Sequence, residues 1–293
     1  MLKLLSLAFL AAVAASSLAR AGEVSYELGS NYSLTGGART KFGDFQDVKN
    51  GYVSEQSALF RFVASPQLTD SVLLRVGAGW QHFAFGLPEG APLPNTLQSA
   101  SLILGMDVQA FGSWLFRIEA APGFYSASNR FDADDLNVPF ILGASYIASP
   151  DLQWILGCEV NIRNVWPVLP GAGVRWKFAE KWVFNAVLPT PRLEYLMSRS
   201  LTLYGGGELK VGSYRLENRF GSEHGLRELD GAWVDYTELR AGCGAAWKVT
   251  RKLTLEAEGG VMAYRNFDYH HTAYEVENSG GAPYAQISLG GRF

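Results

Sequence analysis

Any chemistry in this chain would begin at His82, His224, His270, His271, Cys158, Cys243 and the acidic run Asp132-Ala133-Asp134-Asp135. A nucleophilic hydrolase needs Ser or Cys within hydrogen-bond reach of a His that a third group orients. No Ser/His/Asn set can be read from the spacing. His82 falls among apolar alternating residues, where it reads as an interfacial histidine. His224, His270 and His271 lie in polar stretches. With Asp132, Asp134, Asp135 or Asp230 they offer acid–base pairs, although solvated loop residues account for them better. The acidic run lacks the spacing and glycine of an EF-hand, which leaves a solvated loop or a divalent-cation bridge to lipopolysaccharide. His270-His271 supplies two ligands where structural zinc takes four. Two distant cysteines make neither a disulfide framework nor a zinc site, and both are expected as free, buried thiols. Gly171-Ala172-Gly173 opens no helix and so binds no dinucleotide. The expectation is a protein that is not an enzyme and carries no cofactor or metal, with a hydrolase as the minor alternative.

The charges are spaced more informatively. Arg61, Arg75, Arg117, Arg175, Lys177, Arg192, Lys210, Arg240 and Arg292 each sit between apolar or small neighbours. So do Glu27, Asp107, Glu119, Glu159, Glu194, Glu208, Glu238, Glu256 and Glu258. Side chains on a strand alternate between two faces, so this period of two places the charges on one face and the apolar residues on the other. The elements that carry them are fourteen strands: 24–34, 58–62, 72–81, 101–109, 114–120, 138–146, 152–159, 172–178, 182–188, 192–195, 201–211, 238–247, 253–261 and 282–293. Twelve is the alternative count, if the segments between Trp182 and Val211 merge. Tight connections such as Ser65–Asp70 and Ser149-Pro150-Asp151 alternate with longer ones. The longer loops are expected at Gly36–Gly51, Gly86–Asn95, Ser126–Asn137, Asn161–Leu169, Arg215–Gly231 and Phe267–Gly281.

A soluble sandwich also alternates, with its apolar face inward. Here the apolar face is free of charge on strand after strand. Trp80, Trp114, Tyr146, Trp154, Trp176, Trp182, Tyr195, Trp233 and Trp247 stand at strand ends, where a membrane-interface girdle belongs. The other face carries glycines and charges, as a lumen does. The fold expected is therefore all-β: a transmembrane antiparallel barrel with short periplasmic turns, long extracellular loops and no large apolar core. In lipid, only a closed barrel satisfies every strand amide.

The termini agree. Lys3, the apolar run Leu4–Leu18 and Ala19-Arg20-Ala21 read as a signal peptide over residues 1–21, leaving a barrel domain over 22–293. Its removal takes two cations, so 23 basic residues face 28 acidic ones, a net charge of −5. With no basic stripe, a nucleic-acid partner is not expected. The last strand ends on Phe293 and resembles the assembly signal of bacterial outer-membrane barrels. The resemblance implies the barrel-assembly machinery, outer-membrane lipid and lipopolysaccharide as partners.

Trp166-Pro167, Pro170-Gly171, Trp182 and Leu188-Pro189-Thr190-Pro191-Arg192-Leu193-Glu194-Tyr195 resemble a family of uncharacterised outer-membrane β-barrel proteins classed as a domain of unknown function. The resemblance implies fold and location and supplies no catalytic residues. Fourteen strands make a lumen wider than that of an eight-strand barrel filled by its own side chains. That width points to a passive channel for small hydrophilic solutes. Lumenal ion pairing would instead give a non-conducting structural or surface-interaction barrel. The balance of inward charges argues against strong ion selectivity.

Overall fold

The computed structural model describes residues 24–42 and 50–293. The expected signal segment lies outside them. The described chain is strand, turn and loop, with only a few single helical turns. Its barrel strands are β1 (Val24–Lys41), β2 (Asn50–Thr69), β3 (Val72–Gly86), β4 (Thr96–Ala110), β5 (Trp114–Ala120), β6 (Phe140–Ser149) and β7 (Leu152–Val160). They continue as β8 (Val168–Ala179), β9 (Trp182–Ala186), β10 (Arg192–Leu196), β11 (Leu201–Arg215), β12 (Trp233–Lys248), β13 (Leu253–Tyr269) and β14 (Ala282–Arg292). Each pairs antiparallel with the next, and β14 returns to β1 from Glu27↔Arg292 to Thr35↔Tyr284. Two main-chain bonds of 2.9 Å between Tyr26 and Phe293 complete the seam. Fourteen strands thus close on themselves and leave no edge at the seam.

The outer face is apolar and exposed: Leu102, Leu104, Met106, Ile118, Leu156 and Ile287 all stand open. A soluble protein would bury such a surface, so this belt faces lipid. At the short-turn end it is bounded by aromatic side chains. Trp114 pairs with Tyr146, Tyr146 with Trp154, and Trp182 with Tyr195. Cys158 and Cys243 lie on the same outer face. Cys243 is exposed and Cys158 half-buried, so the thiols are free but not buried. An outward position on a barrel meets lipid rather than a protein core.

The strands at the loop end run further than the period-two pattern alone suggests. β1 reaches Lys41, β2 starts at Asn50 and β13 reaches Tyr269, so strand runs into two of the expected loops, Gly36–Gly51 and Phe267–Gly281. Bulges hide these extensions. At Gly36-Gly37 the β1–β2 register skips from Thr35↔Glu55 to Ala38↔Val53, which moves the inward set from Ser33 and Thr35 to Ala38 and Thr40. In β13 the pairings Arg240↔Met262 and Leu239↔Tyr264 leave Ala263 over, so the inward set changes from Met262 to Arg265, Phe267 and Tyr269.

These extensions enclose an apolar core, contrary to the expectation of none. Phe83 and Phe85 of β3, Leu97 of β4, Tyr236 of β12, and Phe267 and Tyr269 of β13 are buried together. The loop at 216–232 adds Leu216, Phe220 and Leu229, and the loop after β3 adds Ala91 and Leu93. Beyond the membrane the inward positions no longer face a lumen. They carry aromatic residues and fill the barrel end as a globular core does.

The wall is uneven in height. A strand crosses a bilayer in about 9–11 tilted residues. β9 and β10 have five each. Their hairpin ends in Leu188-Pro189-Thr190-Pro191, and Gly207 and Leu209 of β11 donate to the carbonyls of Pro191 and Pro189. Beyond Leu209, β11 has no strand on that side among the described residues until Arg215 meets Ser126, in the short strand Gly123–Ser126 that also continues the pairing with β4.

Candidate functional site

The inner face holds three groups of charge. The first fills the loop-side half. Arg265 Nη2 lies 2.7 Å from both Glu55 Oε2 and Glu238 Oε2. Arg240 donates to Glu238 at 2.5 Å, Glu55 at 3.1 Å, Ser33 at 2.9 Å and Thr35 at 3.0 Å. Tyr236 donates to Glu55 at 2.6 Å. Lys210 stands 3.7 Å from Glu238 and donates to Ser57 at 3.4 Å. Arg240, Glu55 and Glu238 have no exposed side-chain surface. Ions so far from water are tolerable only when each is paired and hydrogen-bonded, and here the donors and acceptors interlock. Glu208 is the exception: its Oε2 is buried without a hydrogen bond among the described residues.

The second group sits nearer the short turns. Arg75 reaches Glu119 at 3.0 Å, Glu27 at 3.2 Å and Asp107 at 3.7 Å. Arg61 pairs with Glu119 at 2.5 Å, and Arg117 grips Asp107 with two bonds of 2.7 Å. In the third group Arg192 meets Glu256 at 2.9 Å and Glu258 at 3.7 Å, with its guanidinium over the Tyr204 ring. Tyr284 donates to Glu258.

Glu159, Arg175, Lys177 and Glu194 make no ion pair among the described residues. All four lie on β7 to β10. Two contacts explain the split. Lys210 of β11 bonds Ser57 of β2, and Tyr214 of β11 bonds Gln81 of β3 at 3.4 Å. These contacts cross the barrel and divide its interior. On one side is the compartment filled by the Arg240–Arg265 cluster. On the other, walled by β4 to β11, Glu159, Arg175, Lys177 and Glu194 are not crosslinked, whereas Asp107, Arg117 and Glu119 at its β4–β5 edge belong to the second group and Arg192 to the third. The inward glycines Gly143, Gly157 and Gly171 lie side by side on β6, β7 and β8 and keep that wall bare. At its loop end lies a cavity of about 160 Å³ bordered by Gln81, Glu119, Tyr125, Glu159, Asn161 and Tyr214.

Of the charges named from sequence, Arg240, Glu238 and Lys210 join the first group, Glu27, Arg61, Arg75, Asp107, Arg117 and Glu119 the second, and Arg192, Glu256 and Glu258 the third. Glu55 and Arg265, central to the first, were not among them. Glu55 continues the inward set of Ser57 and Arg61, so a longer β2 would have included it. No sequence signal marks the Ala263 bulge that turns Arg265 inward.

The residues that invited catalysis lie elsewhere. Asp132-Ala133-Asp134-Asp135 forms a single capped turn, with Arg215 3.6 Å from Asp134 and 3.8 Å from Asp135. Burial pushes the Asp135 carboxyl above its ordinary value. His270 Nε2 is 2.9 Å from Asp235 without hydrogen-bond alignment. His82 stacks on Trp80 on the outer face. Among the described residues no three His, Cys, Asp or Glu side chains converge on a metal position.

A membrane-spanning barrel with a divided, ion-paired interior is the class that these features define. The chain belongs to the family described as domain of unknown function DUF6268, whose model matches residues 65–278. No curated protein matches it. Among solved structures it is similar to a deletion mutant of TodX, a monoaromatic hydrocarbon channel, at 10% identity and TM-score 0.49, over 95% of this chain and 92% of that one. It is also similar to an outer-membrane channel from Pseudomonas putida F1, at 12% identity and TM-score 0.47, over 93% and 97%. A third is the KdgM porin in complex with disordered oligogalacturonate, at 6% identity and TM-score 0.36, over 91% and 99%.

Proposed function

We propose that this chain is an outer-membrane protein that passes small hydrophilic solutes passively, through the compartment walled by β4 to β11 rather than along the barrel axis. The observation that carries this reading is the contrast between the compartments. One is dry and interlocked, and the other keeps Glu159, Arg175, Lys177 and Glu194 unpaired. Charges without protein partners require water, because an isolated buried ion is far too costly. Two of the four are acidic and two basic, so the passage has little ion selectivity.

Lipid and lipopolysaccharide contact the apolar belt and the loop rim, and the strand ending in Phe293 engages the assembly machinery. The test is planar-bilayer conductance of the refolded protein together with liposome swelling in arabinose. Small steady openings and arabinose entry are expected. The aromatic core favours a second reading, a closed structural or surface-interaction barrel. A correctly folded protein that is silent in both assays would establish it.

A further inference from the structure

We propose that the gap above the short β9–β10 hairpin is a lateral port, through which a small amphipathic molecule with a cationic or neutral polar head moves between the side compartment and the outer leaflet. The inference rests on the channel reading and adds where the passage opens and to what.

The backbone argues first. At membrane depth, strand amides without a partner are tolerated only where they line a water-filled cavity or are buried in protein. β8 pairs with β9 only from Val174 downward, and β11 pairs with β10 only up to Gly206, extended by the carbonyls of Pro191 and Pro189. Above that level, Val168–Gly173 and Val211–Ser213 face each other with no strand between them among the described residues. Pro170, in the middle of the β8 edge, has no N–H to leave unpaired. The segment between β7 and β8 spans the top of the gap. Asn161 and Asn164 donate to Ser213 at 3.3 and 3.2 Å, and Val165 N–H donates to Asp235 at 2.7 Å.

The side chains argue next. Leu169 pairs with Glu159 on the inward register yet is 40% exposed. A cavity of about 10 Å³, room for about one water, is lined by Glu159, Asn161, Asn164, Trp166, Leu169 and Val211. It shares Glu159, Asn161 and Val211 with the larger chamber, and its other end is the exposed Trp166. The path therefore runs from a polar chamber, past an unpaired carboxylate and two amides, to an apolar aromatic lip. That sequence of surfaces suits a molecule with a polar head and an apolar body, and the Glu159 carboxylate sets the sign of the head. The axial exit is filled by the aromatic core.

Gly171 supplies the test. A Cβ added there meets nothing within 4 Å, so the backbone accepts a side chain at this point, and G171W places an indole beside the port. Gly29 is equally open on β1, so G29W is the bulk-matched control. The protein is reconstituted in vesicles with a lipopolysaccharide outer leaflet. Entry of dansylcadaverine, a primary ammonium on an aromatic body, is followed by its fluorescence. Heat-modifiable migration confirms folding of each variant. Entry through the parent and through G29W is expected, falling about ten-fold in G171W, with an anionic dansyl aminohexanoate entering more slowly than the cation. A folded G171W with parental entry in a protein that still passes arabinose overturns the port alone. Equal rates for the two probes overturn the role given to Glu159. A parent that passes neither arabinose nor dansylcadaverine overturns the channel reading and the port together.

Discussion

Arg265 and Glu55 are 210 positions apart in the chain and 2.7 Å apart inside the barrel. The contact joins β13 to β2 across the seam strands β14 and β1, so the ion cluster ties together the strands that close the barrel. Removing Arg265 leaves Glu55 and Glu238 short of a cation in a dry interior. Arg265→Met should therefore cost about 3–5 kcal/mol, as breaking one side of a buried pair does. Arg117→Met, which breaks a half-exposed pair, should cost about 1 kcal/mol or less. Urea unfolding of the refolded protein, followed by tryptophan fluorescence, measures both. Equal losses would mean that the cluster contributes no more than a surface pair.

The lipid belt makes a sharper distinction between faces. Leu104 stands exposed on β4, midway between the Trp114 level and the Trp80 level. Leu104→Arg should destabilise by about 2–4 kcal/mol, the cost of arginine near a bilayer midplane. Ser145→Arg, on the inner face of β6 in the side compartment, should stay within about 0.5 kcal/mol. Folding in lipid vesicles across a urea series checks the pair. Equal tolerance would refute the face assignment.

How much of this was legible in the sequence follows from where the period of two is unbroken. Arg75, Arg117 and Glu119 sit in strands without bulges near their charges, and parity alone sets their face. All fourteen strands are recognisable for the same reason, including the short pair around Pro189-Thr190-Pro191. Parity fails at Gly36-Gly37 and Ala263, where one extra residue turns every later side chain over. Phe267 and Tyr269 of the aromatic core lie beyond Ala263 and so read as loop residues, while Phe83, Phe85 and Tyr236 fall just outside the strand bounds that alternation marks. The division of the lumen was not legible at all. It depends on Lys210 meeting Ser57 and Tyr214 meeting Gln81 across the barrel, and no local pattern carries such contacts.

The carboxy-terminal residue gives a third prediction. Phe293 exchanges both main-chain bonds with Tyr26. Deleting it removes two bonds, each contributing about 0.5–1.5 kcal/mol. Refolding in detergent should survive this loss. Assembly in cells should fall much further if the assembly machinery reads the terminal aromatic. The ratio of heat-modifiable barrel in outer membranes to that in refolded samples is the measurement. A parallel decline in both would reduce Phe293 to a seam residue.

The loop at 216–232 gives a pH dependence. Hydrogen bonds from the Ser222 hydroxyl and main chain hold the Asp230 carboxyl below its ordinary value. A depressed folded value means that this contribution is complete above the unfolded value. It is lost as pH falls through the folded one. Protease sensitivity of the loop should therefore rise only in strongly acidic solution. Ser222→Ala should remove much of this contribution already at neutral pH, so the variant loop is cleaved faster there and its cleavage changes less on acidification. A loop whose cleavage does not shift in the variant would show that Asp230 does not hold it.

The aromatic core makes the last prediction. Phe83 packs on Tyr236 with ring centroids 5.0 Å apart and lies across from Tyr214 at 6.4 Å. It therefore touches both the core and the partition between compartments. Phe83→Ala should cost about 3–5 kcal/mol from the lost burial and the cavity left behind. It should also raise conductance, because the cavity opens toward the chamber beside Gln81 and Tyr214. Lys210→Ala provides the contrast. It removes the Ser57 contact without emptying the core, so it should weaken the partition while leaving the loop end sealed. Single-channel records of the two variants separate the effects. If Phe83→Ala is folded, destabilised and no more conductive than the parent, then the core stabilises the barrel without setting its conductance, and the route lies wholly in the side compartment.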